Sequence, residues 1–146
     1  MFKNDNSKAT GKLTVEIKND KGVVVETREV KNLVVDDGLE FIADRMKNNS
    51  TVMSHMAIGT GSTAAAASDT ALGTEAARQA LTSTTVTANA VAYVASFAAG
   101  TGTGAITEAG ILNAGSGGTL LCRTVFSVVN KGASDSMTIT WTVTIS

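Results

Sequence analysis

From residue 137 to residue 145, apolar and polar side chains alternate without a break. Met137, Ile139, Trp141, Val143 and Ile145 fall on one face of an extended chain, and Thr138, Thr140, Thr142 and Thr144 on the other. A period of two residues marks a half-buried β-strand. Trp141 is the only tryptophan, so this strand is expected to be central, or at least paired, with the largest patch of apolar burial around it. The same alternation predicts strands at 12–18, with Leu13, Val15 and Ile17 together, and at 91–97, with Val91, Tyr93, Ala95 and Phe97 together. Asn19-Asp-Lys-Gly22 supplies turn residues between the first of these and the β-branched run 23–30, which predicts an N-terminal β-hairpin. After a further apolar piece at 33–35, the period changes. Leu39, Ile42, Ala43 and Met46 follow helical spacing, so one short α-helix is expected over 37–47. Asp37 and Glu40 resemble a capping box at its start, and Arg45 and Lys47 suit the negative end.

Downstream, apolar residues predict a strand at 52–58 running into Gly59-Thr-Gly61, where glycine permits positive φ. An alanine-rich linker covers 62–68, and 69–78 reads either as a short helical turn or as an extended strap. Thr- and Val-rich residues 80–87 pair with 91–97 in a second hairpin turning near Asn89. Strands at 105–112 and 119–128 are separated by Gly115-Ser-Gly-Gly118. Strands about ten residues apart, divided by Gly, Ser and Asn turns, indicate an antiparallel sandwich or barrel. The expected fold is mainly β: an antiparallel, jelly-roll-like β-sandwich with an N-terminal β-hairpin and one short α-helix. A single domain over 1–146 is expected, divided into an extended arm (1–11), the hairpin and helix (12–48) and the sandwich body (49–146). The arm is polar apart from Phe2 and has little to anchor it within a domain. It is therefore expected to be held by other chains, with Met1, Phe2, Lys3 and Lys8 as contact residues.

Charge changes this picture in one respect. Of the 25 charged residues (12 basic and 13 acidic), 18 lie between Lys3 and Lys47, leaving seven for the 98 residues after Asn48. The body therefore presents mostly Ala, Thr, Ser and Gly, a surface easily covered by neighbouring protein. With no proline in the chain, its strand edges also lack a common block to edge-on pairing. A net charge of −1 without a cationic cluster argues against nucleic acid as a partner. No segment approaches the about 20 apolar residues of a membrane-spanning helix, and the start lacks the apolar run of a signal peptide, so synthesis in a cytoplasm is expected.

Candidate chemistry is sparse. Neither Gly59–Gly61 nor Gly100–Gly104 carries the lysine of a phosphate-binding loop. His55 is the only histidine, and its nearest acidic neighbour in sequence is Asp44, which suits a structural or solvent-facing role. Cys122, the only cysteine, shares a strand face with Leu120 and reads as a small buried hydrophobe. Glu108 and Arg123 lie on consecutive strands that a hairpin would bring together, so an ion pair is expected there. A catalytic carboxylate would need a second one nearby in sequence. No catalytic, cofactor or metal site is expected.

Five segments resemble one group of proteins: residues 55–63 (HMAIGTGST), 68–75 (SDTALGTE), 106–114 (ITEAGILNA), 117–124 (GGTLLCRT) and the Thr-rich 138–145. Together they are similar to small structural proteins of tailed-bacteriophage virions, over roughly the last 90 residues. The chain departs from that pattern at Leu112, where an aromatic is common, at Cys122, where alanine is common, and in lacking a proline in the linker. The resemblance implies a virion component without fixing its location; because the few aromatic residues lie mostly at core-facing strand positions, a decoration or cement protein that binds the major capsid protein on the capsid surface is expected. The low-charge body and its unblocked edges predict a homo-oligomer, and the resemblance favours a trimer. The alternative it leaves open is a tail or tail-fibre protein that contacts a receptor.

Overall fold

The computed structural model describes residues 9–145. Met1, Phe2, Lys3 and Lys8, expected to touch a partner, lie outside this range. Alternation begins earlier than expected: β1 (Ala9–Lys18) includes three residues assigned to the arm, and Ala9, Thr10 and Gly11 pair with Ile145, Thr144 and Val143. β1 turns into β2 (Val24–Val34) through Asn19, whose side-chain oxygen accepts the N–H groups of Lys21 and Val23 at 3.0 Å each, while Gly22 takes φ 75°. The predicted hairpin is present.

The remaining strands are β3 (His55–Gly59), β4 (Glu75–Ala80), β5 (Ser83–Thr87), β6 (Ala90–Phe97), β7 (Gly104–Leu112), β8 (Leu120–Lys131) and β9 (Ser136–Ile145). All pair antiparallel in one sheet of order β4-β3-β7-β8-β2-β1-β9-β6-β5. The expected β-sandwich is thus one nine-stranded sheet curled into a half-barrel. β2 is the hinge between its halves: residues 24–32 pair with β1, whereas Leu33 and Val34 pair with Arg123 and Cys122 of β8.

The two halves enclose one core. Leu13, Val15, Ile17, Phe97, Ile139 and Trp141 from one half meet Met56, Ile58, Ile106, Ala109 and Ile111 from the other. β9 is flanked by β1 and β6, so Trp141 sits opposite Leu13 on one side and Tyr93 on the other, fully buried. Its indole N–H has no partner among the described residues.

The helix α1 (Asp36–Arg45) follows β2 directly. Its expected apolar stripe is off by one position. Leu39, Ala43 and Met46 face solvent, while Gly38 is buried and Phe41, Ile42 and Arg45 are half-buried. These four also fall at i, i+3, i+4 and i+7, and glycine sets the choice. A Cβ on Gly38 would fall onto the Leu121 carbonyl oxygen, so only glycine lets the first turn lie against β8. The capping box does not form: the N-cap is Val35, which is buried and has no side-chain acceptor. Gly38→Ala is expected to cost about 1–3 kcal/mol by overpacking, against the gain its helix propensity would give at an open site. A melting temperature at or above that of the parent would contradict this packing.

Candidate functional site

A second, smaller core lies on the outer face of the half-barrel, where Leu72 covers Val35, Ala57, Leu112 and Leu120. Leu72 belongs to residues 60–74, which cross the outside of β3 and β7 as an irregular strap. The alternatives for 69–78 are thus resolved in favour of a strap, which runs into β4 at Glu75. Apolar contact from one leucine is small, and the strap is held mainly by charge.

Glu108 is the anchor. In a regular strand it would share a face with Ile106, but the β7–β8 register shifts between these two residues. Ile106 enters the main core while Glu108 turns under the strap. There its Oε2 accepts the backbone N–H groups of Gly61 at 2.8 Å and Thr74 at 2.7 Å, and Oε1 accepts that of Gly73 at 2.7 Å. Arg123, one strand over, donates Nε to Oε1 at 3.1 Å, with Nη2 3.0 Å from the same oxygen. Its Nη1 reaches Asp69 Oδ2 at 2.7 Å and its Nη2 donates to the Thr63 carbonyl at 3.0 Å. Asp69 also accepts the Ala66 N–H at 2.9 Å. Glu108 and Arg123 are 0% and 2% exposed. The ion pair expected from the sequence is therefore present, and it extends to a third group, Asp69, which the sequence alone did not assign.

Three glycines make room for this clamp. A Cβ on Gly61 or Gly59 would collide with the Glu108 carboxylate, and one on Gly73 would come within 3.3 Å of Arg123 Nη2. Gly59 and Gly61 do not have positive φ. Close approach to a carboxylate, not backbone freedom, is why glycine stands at these positions.

Burial raises the Glu108 carboxyl, but the N–H groups of Thr74, Gly73 and Gly61 and the Arg123 guanidinium outweigh it, holding the group below the usual carboxylate range. Asp69 is likewise held low: burial raises it, and the Ala66 N–H and Arg123 prevail. A carboxylate that keeps its charge with both oxygens occupied is poorly suited to accept a proton from a substrate. A shallow cleft of about 410 Å³ opens beside Thr63, Asp69, Leu72 and Arg123, yet every nitrogen of the Arg123 side chain is already bonded within the chain. The geometry describes a structural clamp.

The other residues read from the sequence lie apart. His55 is half-buried on β3, and its Nδ1 is 2.8 Å from Ser54 Oγ. Cys122 is fully buried on the core side of β8, and burial pushes its thiol well up. Among the described residues, no group of three or more His, Cys, Asp or Glu side chains is placed to hold a metal ion. Lys131 escaped sequence reading. It is 1% exposed, and its Nζ donates to the carbonyls of Ala98 at 2.9 Å and Asp135 at 2.8 Å, tying two turns together. Burial lowers its pKa, with Asp135 acting in the opposite sense. The available signal was its spacing: it lies two residues beyond the core-facing Val129.

No protein-family model matches the chain, and neither the curated proteins nor the solved structures contain a significant match to it.

Proposed function

We propose that this chain is a non-enzymatic structural component of a tailed-bacteriophage virion, a decoration protein that seats on the outer capsid and adds contacts between major capsid protein subunits. The observation that carries this reading is where the motifs of the sequence resemblance fall. Gly61, Asp69, Gly73, Thr74, Glu108 and Arg123 come from four of the five resembling segments, and all six meet in the clamp beneath the strap. The residues most typical of the resembled group thus serve to hold a surface segment in place.

Two further features favour a capsid surface over a receptor-binding tail fibre. Tyr93, Phe97, Phe126 and Trp141 are buried and Phe41 is half-buried, so the described surface offers no aromatic platform of the kind that binds glycans. The body is also poor in charge, as interface cores are. In this reading the protein self-associates, three copies being the number the resemblance implies, and residues 1–8 reach a neighbouring capsid subunit. Labelled protein is expected to saturate tail-less heads. Deleting residues 1–8, which leaves β1 whole, is expected to weaken that binding while the melting temperature stays nearly unchanged. Binding confined to tails or to host cells would replace the capsid reading with the fibre one.

A further inference from the structure

The two terminal strands of the sheet are protected to very different degrees. β4 carries Glu75 and Arg78, ion-paired at 2.6 Å, and Arg78 also donates to the carbonyls of Ala114 and Gly117 at 2.9 and 2.8 Å. Its ladder with β3 is broken by a register shift between Ile58 and Gly59. Charges and bulges are devices that keep foreign strands off an edge. β5 has neither. Its five residues, Ser-Thr-Thr-Val-Thr, are all exposed and pair with β6 in unbroken register. No charged residue lies between Arg78 and Glu108. Val86 pairs with Val91 and so points to the core side of the sheet, yet it is 70% exposed because none of the described residues covers it.

We propose that β5 pairs edge to edge, antiparallel, with β5 of a second copy, joining two nine-stranded sheets across a twofold axis. Full overlap of the two five-residue strands puts Thr85 opposite Thr85 of the partner, with Val86 of each copy opposite Thr84 of the other. Thr–Thr pairs are favourable across strands, and β-branched residues such as Val and Thr suit a strand. The occupant is a second copy for two reasons. A strand of uncharged β-branched residues matches itself without needing complementary charge. Moreover, the head-to-tail alternative, β5 on a neighbour's β4, meets the guarded edge, so association closes at the pair instead of running on into a fibre. This inference rests on the sheet edges alone and does not depend on the capsid reading. If copies also associate in threes through another surface, the twofold links trimers into hexamers and the copy number stays even.

The test is the mass of the 1–146 chain by sedimentation equilibrium from low to high micromolar concentration. An even-numbered assembly is expected. Thr85→Lys sets two ammonium groups against each other across the axis and should weaken association at least about tenfold, since like charges juxtaposed at an interface are strongly disfavoured. At concentrations where the wild-type chain is itself dissociated, the melting temperature should not move, because Thr85 is exposed in the single copy. Thr85→Glu should act alike, and mixing the two variants should restore the pair as a heterodimer. A wild-type chain that stays monomeric throughout overturns the proposal. So does an even-numbered oligomer that survives both substitutions, or a mixture that fails to reassociate.

Discussion

Glu108→Ala will destabilise the protein by about 3–5 kcal/mol, the usual cost of removing one partner from a buried ion pair. It will also release the strap. The substitution takes one of its two carboxylates from the Arg123 guanidinium, leaving it only Asp69, and removes the acceptor for three backbone N–H groups at once. Arg123→Met is expected to cost less, because Glu108 then keeps those three bonds and loses only its contacts to Arg123. Urea unfolding gives the two magnitudes, and limited proteolysis locates the effect: in Glu108→Ala, cleavage should concentrate within residues 60–74. Equal costs for the two variants, or cleavage elsewhere, would show that the strap is not held through Glu108.

The same network fixes a pH dependence. Glu108 and Asp69 both have folded-state pKa values below their unfolded ones. Their contribution is therefore complete above the unfolded carboxylate range of about 4. It is lost as pH falls from there through the lowered folded values. Stability should hold steady from neutral pH down to about 4 and drop below it, and Glu108→Gln should flatten the drop. An acid limb identical in parent and variant would separate Glu108 from acid unfolding.

Trp141→Ala will cost a comparable amount, about 3–5 kcal/mol, as large aromatic truncations in cores do. That is a large fraction of the about 5–15 kcal/mol that holds a domain together. Trp141 lies on a strand flanked on both sides, so the surrounding sheet has little freedom to close the cavity. Trp141→Phe should be much milder, since it fills most of the space and removes an indole N–H that is buried without a partner. A Phe variant as unstable as the Ala variant would mean that the indole is held by more than packing.

Much of the fold was legible because a half-buried strand records its own environment. β1, β6 and β9 each alternate in the sequence, and their inward residues are the ones that fill the core. Turns were legible for a similar reason, because Asn19 and Gly22 satisfy local backbone needs without help from distant residues. β4 left no such trace. Its residues are exposed or half-buried on both faces, so there is no alternation to read. The helix stripe misled because hydrophobicity marks Leu39 and Met46, whereas contact with β8 is decided by the lack of a side chain at Gly38.

Local pattern thus accounts for the strands, their faces and the mainly β class, since each depends on neighbours one to four residues away. Strand order, the hinge at β2 and the strap's share of the clamp had no local signal. Glu108 meets Gly61, Gly73 and Thr74 across separations of 47, 35 and 34 residues, and Asp69 meets Arg123 across 54. A register shift of β7 aims the carboxylate at the strap, and such a shift exists only once the strands have paired.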